Sequence, residues 1–369
     1  MLPLVFETVH ALPELKDSPL LRQYRTAVIR QVMVQTRKTA DFLALLKTLA
    51  EDGIRPLVVK GILCRELYPR PDHRSSSDED MLLAPGEFAV CHRALTTAGL
   101  RPAGNADPSA SYEIPYRQDG GVLYLEVHTS LFPPESASYG DLNRFFRDAG
   151  QRAVVRTIQG TEVHTLGYTD HLFYLICHAW KHFLHSGFGI RQVCDIVLFA
   201  SAYGKDIDWK KIEANCRKIR AFLFAAAIFR IGRNYLDFDP ATAAMPDIWR
   251  NALIDEGAML QDLLSGGVYG SSSLSRQHSS TITLEAVAAQ KQGRTGSGAL
   301  ASLFPAADKL QGRYPYLKER PWLLPAAWAS RIGGYCREIL ENPRSSAGES
   351  LEIGRQRLEL LKQYGILDE

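Results

Sequence analysis

The spacing of apolar positions predicts helices at the start of the chain, followed by a region of short strands. Apolar residues recur at helical spacing from residue 18 to residue 52, and Gly53 is suited to end that helical region. The segment at 54–60, IRPLVVK, is short and apolar as a buried strand is, whereas ILCRELY after Gly61 returns to helical spacing. The pattern therefore predicts a strand, a glycine turn and a helix.

The remaining apolar runs predict more strands and then a helical second half. The strands are expected at 78–84 (DEDMLLA), at 120–131 (GGVLYLEVHTSL) and near 162 (EVHTL). From about Tyr168 onward the spacing is helical, except at 265–300, where Gly and Ser are frequent. We predict N-terminal helices over 1–53, an α/β domain over 54–166 and a helical domain over 167–369, with a mobile segment near 265–300.

Composition and charge exclude several classes of function. Lysine and arginine total 43 against 41 acidic residues, so the charge gives no reason to expect a nucleic-acid or membrane partner. The six cysteines form no CxxC pair, which argues against a disulfide framework and a cysteine-rich zinc site. The N-terminus lacks the pattern of a signal peptide, and the longest apolar run, AFLFAAAIF, is too short to span a bilayer. We expect a cytoplasmic protein.

The chemistry is expected where carboxylates interrupt the predicted strands. Alternation along a strand places Asp78 and Asp80 on one face and Glu79 on the other. Glu126 lies in the middle of an apolar strand, and His128 shares its face. Converging carboxylates suit Mg²⁺, which binds a few carboxylates and completes its coordination with water or phosphate oxygens.

The Lys60-Gly61 turn is the candidate phosphate site. A glycine turn before a helix presents backbone N–H groups to an anion, and Lys60 adds a positive charge. Another candidate surface is the helix HLFYLICHAWKHFL, in which His178, Lys181 and His182 share one face. The two histidines have the spacing of a zinc pair, but the glutamate of an HExxH motif and a third ligand are lacking, so zinc is not expected there.

These motifs together resemble a known family. The order of a glycine turn, a DxD on one strand and an acidic residue on a later strand resembles the nucleotidyltransferase superfamily with a DNA polymerase β-like palm. More closely, the chain resembles the bacterial uncharacterised nucleotidyltransferases, over a region from about residue 55 to about residue 331. The resemblance is carried by the blocks VVKGILCRELYPRPDHRSSSDEDMLL, LYLEVHTSLF, HLFYLICHAWKHF, RQVCDIVLF and LFPAADKLQGRYPYLKERPWLLPAAWASR.

The resemblance implies an α+β fold, in which a mixed-sheet palm domain is joined to a larger all-helical domain. It implies two Mg²⁺ ions, with Mn²⁺ as an alternative, held by Asp78, Asp80 and Glu126. The nucleotide-binding residues that it implies are Lys60, Gly61, Arg74, Ser77, Lys181 and His182. It places His128, His178 and Asp195 at the acceptor or cleft, although a buried ion pair is an equally good interpretation of Asp195.

The activity that the resemblance implies is transfer of a nucleoside monophosphate from an NTP, expected to be ATP, to an acceptor hydroxyl or phosphate. Pyrophosphate is released, and the acceptor is a protein, a peptide natural product or a small molecule. Glu79 departs from the family pattern, which has an apolar residue between the aspartates, and we expect it to meet solvent or a partner such as Arg74. This departure keeps two alternatives open: a degenerate nucleotide-binding regulator, or a phosphoryl transferase using the same metal site.

Overall fold

The chain folds into two compact units. The computed structural model describes residues 2–15, 18–103, 111–267, 274–293, 310, 314–330, 333 and 347–368. Unit 1 comprises Met1–Cys177, Cys194–Ile212 and Phe238–Met245, and unit 2 comprises His178–Val193, Glu213–Asp237 and Pro246–Glu369. The strands of the sheet all belong to unit 1.

Two helices precede the sheet in unit 1, α1 (Leu2–His10) and α2 (Pro19–Glu51). Proline opens α2, where its missing N–H leaves no helical hydrogen bond unmade, and the chain turns after the helix at Gly53, whose φ is +79°. The helix predicted from 18 to 52 is thereby confirmed as a single 33-residue element. Its second half buries Phe42, Leu46 and Leu49.

A seven-stranded mixed sheet follows, in the order β3-β4-β5-β2-β1-β7-β6. The strands are β1 (Leu57–Val58), β2 (Glu79–Leu82), β3 (Leu100–Pro102), β4 (Glu113–Gln118), β5 (Tyr124–His128), β6 (Val154–Ile158) and β7 (Thr161–Thr165). The pairs β2/β5 and β1/β7 are parallel, and the other neighbours are antiparallel. Two helices lie between the strands in sequence, α3 (Gly61–Arg65) and α4 (Phe88–Thr97).

One face of the sheet packs on α2 and α4 to form the core of unit 1. On β2 and β5 this face presents Met81, Leu125 and Val127, all fully buried. The residues that alternate with them, Asp80 and Glu126, therefore project from the opposite face. The core thus fixes which side of the sheet carries the acidic residues.

Helices make up the regular structure after β7 in the described part of the chain. They include α5 (Tyr168–Leu184), α6 (Ile190–Tyr203), α7 (Trp209–Lys218), α8 (Phe222–Tyr235), α9 (Asp247–Arg250), α10 (Gly257–Gly266), α11 (Leu274–Lys291) and α12 (Ala347–Gln363). A mixed sheet followed by helices confirms the predicted α+β class. None of the helices within the described ranges combines the length and apolar character that a bilayer span requires.

The region predicted to be a mobile Gly/Ser-rich segment contains a helix. Within 265–300, α11 occupies Leu274–Lys291, while 268–273 and 294–300 lie outside the described residues. The apolar Ile282, Val287 and Ala288 of α11 are buried, although the first part of the helix is rich in serine and threonine. Serine and threonine are tolerated in a helix when one face is packed, so their frequency hid this element.

The cysteines of the described residues lie mostly in the interior. Cys64, Cys91, Cys177 and Cys216 are buried, and Cys194 is half-buried. Cys336 lies outside the described residues.

Candidate functional site

Strand register brings the predicted acidic residues together on the face of the sheet away from the core. In the parallel pair β2/β5, Asp80 lies opposite Glu126, and Leu82 lies opposite His128. Glu126 and His128 are two residues apart in β5, so their side chains project to the same side as Asp80. The predicted proximity of these three residues is therefore a direct result of strand pairing.

The three side chains form a compact cluster that offers two oxygen ligands and one nitrogen ligand. His128 Nε2 lies 3.1 Å from Asp80 Oδ1 and 3.9 Å from Glu126 Oε2. One ligand atom of each residue lies within 4.8 Å of those of the other two. We call Asp80, Glu126 and His128 the cation cluster, because this spacing allows one ion to contact all three.

Lys60 supplies a positive charge to the cluster. Its Nζ lies 2.8 Å from Asp80 Oδ1, and the side chain is 18% exposed whereas that of Asp80 is 1% exposed. Lys60 is the last residue before α3, at the end of the run that contains β1, which is the strand antiparallel to β2. The predicted Lys60 charge thus lies at the carboxylates.

The environment gives the two carboxyl groups opposite titration behaviour. Burial disfavours the charge on Asp80, but Lys60 and His128 outweigh it and hold the pKa of Asp80 well below its usual value. Burial, together with the charges of Asp80 and Asp78, raises the pKa of Glu126 to about 8. Burial also opposes the charge on Lys60, yet Asp80 raises the pKa of Lys60 well above its usual value. The site therefore combines a fixed anion, a fixed cation and a carboxyl group that takes up a proton readily.

Glu79 points into the core side of the sheet and is fully buried there. Its carboxylate accepts a hydrogen bond from the backbone N–H of Ile62 at 2.8 Å and forms an ion pair with Arg65 at 2.6 Å. The expected partner, Arg74, is not the one observed in the described residues. A charge in this position is compatible with the fold because Arg65, itself fully buried, neutralises it.

The glycine turn before α3 is shaped by Glu79. Gly61 has a φ of +44°, and a Cβ atom built at this position would lie 2.0 Å from Glu79 Oε2. Only glycine leaves room for this carboxylate. The sequence predicts that N–H groups of this turn face a phosphate. The backbone N–H of Ile62 instead donates a hydrogen bond to Glu79.

Arg74 forms a buried ion pair with Asp195. Arg74 Nε donates to Asp195 Oδ1 at 2.7 Å, Nη2 donates to Oδ2 at 2.5 Å, and the Tyr68 hydroxyl donates to Oδ1 at 2.8 Å. Both charged residues belong to unit 1, and each is about 5% exposed. Of the two interpretations of Asp195, the structure shows the ion pair, and contacts of Arg74 with a nucleotide stay a prediction.

Asp78 and Ser77 lie at the end of the loop that enters β2. Asp78 is half-buried and precedes the first residue of β2, and its Oδ1 accepts a hydrogen bond from the Ser77 hydroxyl at 2.8 Å. Asp78 is not a member of the cation cluster. Its charge is nevertheless close enough to contribute to the raised pKa of Glu126.

The histidine-rich face of α5 belongs to unit 2, whereas the cation cluster belongs to unit 1. His178 Nε2 and His182 Nε2 are 3.3 Å apart, and Gln192 Nε2 lies 3.2 Å from His178 Nδ1. The shared helix face predicted for these histidines is confirmed. The roles assigned to Lys181, His182 and His178 at the nucleotide or acceptor stay predictions.

Sequence reasoning missed Glu113, which lies beside the cluster. Glu113 is opposite His128 in the pair β4/β5, and its Oε2 is 3.8 Å from His128 Nδ1. The strand β4 was not predicted, because Pro115 in its middle normally argues against a strand with neighbours on both sides. The alternation of buried Ile114 and Tyr116 was the available signal.

Comparison with known proteins places the chain in a family. The family model described as "Uncharacterised nucleotidyltransferase" matches residues 1–237. Curated proteins give no match. A solved structure, an antigenic nucleotidyltransferase-like protein from Paracoccidioides brasiliensis, is similar at 14% identity and a TM-score of 0.35, over 57% of this chain and 93% of that one, which is too remote to bear on the site. By the family match, which covers more than half of its length, the chain belongs to the uncharacterised nucleotidyltransferase family.

Proposed function

We propose that the protein is a metal-dependent nucleotidyltransferase that moves a nucleoside monophosphate from an NTP to an acceptor hydroxyl or phosphate and releases pyrophosphate. The observation that supports this most strongly is the cation cluster, which lies inside the matched region of a nucleotidyltransferase family. ATP is the expected nucleotide, and the acceptor is a protein, a peptide natural product or a small molecule.

The residues of the cluster fit a divalent cation. Asp80 and Glu126 are carboxylates on neighbouring strands, and the negative charge of Asp80 opposes ionisation of Glu126. A divalent ion would offset that repulsion. Among the described residues, Nδ1 of buried His128 has no hydrogen-bond partner, and Nε2 is the ring nitrogen that faces both carboxylates.

The donor set suits Mn²⁺ as well as Mg²⁺. Mg²⁺ prefers oxygen ligands, and imidazole nitrogen is a better ligand for transition metals. We infer that Asp80, Glu126 and His128 hold one ion and that Asp78 adds a carboxylate for a second. When bound, such ions polarise phosphate oxygens and stabilise the charge on the leaving pyrophosphate.

The other side chains have roles that follow from their charge. Lys60, fixed at the cluster by Asp80, is suited to bind a phosphate oxygen of the NTP. Glu126, which lies beside Asp80 on the neighbouring strand, is suited to take the proton from an acceptor hydroxyl, directly or through water. The buried Glu79 does not weigh against activity, because Arg65 neutralises it on the core side of the sheet.

Isotope transfer tests the proposal without knowledge of the acceptor. The protein is incubated with Mn²⁺ or Mg²⁺, a lysate of its own cells, and ATP labelled at the α or the γ position. A nucleotidyltransferase moves α label onto an acceptor and releases γ label as pyrophosphate, whereas a phosphoryl transferase moves γ label onto the acceptor. Asp80→Asn should abolish the transfer, while Glu162→Gln, a change at an exposed carboxylate in β7, should not.

Three outcomes would contradict the proposal. Transfer of γ label that is lost in Asp80→Asn would assign the same site to phosphoryl transfer. Binding of ATP without transfer of either label would favour the regulatory alternative. Transfer of α label that persists in Asp80→Asn would place the reaction elsewhere in the protein.

A further inference from the structure

The loop that leads into β2 is held by buried polar side chains on both sides. These are Gln35, Lys38, Arg65 and Glu79, with exposures between 0% and 4%. We propose that these four residues, which we call the loop clamp, position Asp78 and Asp80 for metal and nucleotide binding. This inference rests on the proposed function of those aspartates and adds α2 to the elements on which the site depends.

The first side of the clamp comes from α2. Lys38 Nζ donates to the carbonyl oxygens of Ser76 at 2.8 Å and Ser77 at 2.7 Å. Gln35 Oε1 accepts from the backbone N–H of Ser76 at 2.9 Å. The carbonyl of Ser77 and the N–H and Cα of Asp78 belong to one planar peptide group. A fixed Ser77 carbonyl therefore restricts the position of the Asp78 Cα, from which the side chain extends.

The second side comes from α3. Arg65 Nη1 donates to the Ser76 hydroxyl at 2.8 Å and also pairs with Glu79 at 2.6 Å. Glu79, which stands between the two aspartates in sequence, accepts from the N–H of Ile62 at 2.8 Å. The chain from Ser76 to Glu79 is therefore bound through backbone and side-chain atoms by two helices.

The chemistry of the clamp argues for positioning rather than simple packing. Removing an ammonium group or a guanidinium group from water is costly, and an apolar side chain of similar length would fill the space of Lys38 without that cost. An apolar side chain would not bind two consecutive carbonyl groups. Lys38 binds the carbonyl of the peptide that joins Ser77 to Asp78. The Asp78 carboxylate in turn accepts a hydrogen bond from the Ser77 hydroxyl.

The same helix offers a matched control on the same loop. The Thr36 hydroxyl donates to Asp72 Oδ2 at 2.6 Å, six residues before Asp78. Thr36→Val removes a contact between α2 and the loop without touching the clamp. A general loosening of the loop and a displacement of Asp78 can thereby be distinguished.

The test measures Mn²⁺ affinity by isothermal titration calorimetry at a temperature where each variant is folded by circular dichroism. Lys38→Met should weaken Mn²⁺ binding by at least about tenfold, as changes to residues that orient metal ligands do. Ser76→Ala, a milder change that removes the hydroxyl bound by Arg65, should weaken it less, and Thr36→Val should leave it unchanged. Hydrogen exchange of the peptide covering 74–80 should rise in Lys38→Met.

The outcomes separate the clamp from the proposed function. Mn²⁺ affinity equal to wild type in folded Lys38→Met would overturn the clamp, as would equal weakening in Thr36→Val. If Lys38→Met does not fold, wild-type affinity in Ser76→Ala would overturn it. A wild-type protein that binds no Mn²⁺ would instead refute the metal site on which the proposed function depends.

Discussion

At the scale of residues, two glutamates on neighbouring strands, Glu79 and Glu126, have opposite surroundings. Glu79 is fully buried, forms an ion pair with Arg65 and accepts a hydrogen bond from the backbone N–H of Ile62. Partial burial and the nearby charge of Asp80 raise the pKa of Glu126, so that its own charge is left to be offset by a ligand. The first arrangement stabilises the fold, and the second is a source of binding energy for a cation.

A buried histidine outside the cation cluster makes the stability of unit 1 depend on pH. Burial lowers the pKa of His171 to about 4, and its Nδ1 lies 3.2 Å from the Thr165 hydroxyl. In the unfolded chain this histidine takes up a proton with a pKa near 6.5, whereas in the folded state it stays neutral until the pH falls to about 4. Between these pH values the unfolded state therefore binds more protons than the folded state. Stability should fall between pH 6.5 and pH 4, by up to about 3 kcal/mol from this residue alone.

Urea unfolding at a series of pH values measures this effect. His171→Gln should flatten the dependence between pH 6.5 and pH 4, even if the variant is less stable at neutral pH. His185, whose pKa burial also lowers to about 4, lies in unit 2 and should keep its own contribution. An unchanged dependence in His171→Gln would show that this histidine does not control the acid sensitivity of the fold.

At the scale of elements, the turn between β1 and α3 depends on a glycine for two separate reasons. Gly61 has a positive φ, and its missing side chain admits Glu79. Gly53, after α2, also has a positive φ but has open space around its Cα. Comparing the two positions separates the cost of the backbone conformation from that of the close contact.

Alanine substitutions make this comparison directly. Gly53→Ala should cost about 1 kcal/mol for the positive φ alone. Gly61→Ala should cost that and roughly 2 kcal/mol more, because Glu79 must move and leave Arg65 unpaired. Equal losses in the melting temperature for the two variants would contradict the packing of Glu79 against the turn.

The elements that carry the site could be predicted from the sequence better than those that surround it. The apolar runs after Asp80 and around Glu126 identified β2 and β5, and period-2 alternation correctly separated Asp80 from Glu79. The partner of Glu79 could not be predicted, because Arg65 and Arg74 are both near it in sequence and only the fold selects Arg65. The strand β4, and with it Glu113, was hidden by Pro115.

At the scale of the whole molecule, the candidate residues are divided between the two units. The cation cluster and Lys60 belong to unit 1, and Lys181 and His182 belong to unit 2. The family match, over residues 1–237, includes all of them. The sequence-based expectation for unit 2 is that Lys181 and His182 contact the nucleotide.

Lys181 is the residue that tests this expectation. If its ammonium group binds the β or γ phosphate, Lys181→Ala should weaken NTP binding more than NMP binding, because only the NTP has those phosphates. Calorimetry with a non-hydrolysable NTP and the matching NMP measures the difference, and Lys218→Ala, at an exposed lysine of unit 2, is the control. Equal weakening of both ligands, or none, would remove Lys181 from the site.

The central claim is that a divalent cation binds between Asp80, Glu126 and His128. Crystals grown with Mn²⁺ and a non-hydrolysable NTP, measured at the manganese absorption edge, test it most directly. We expect an anomalous peak within roughly 2.2 Å of a ligand atom from each of the three side chains. A peak elsewhere, or none at saturating Mn²⁺, would contradict it.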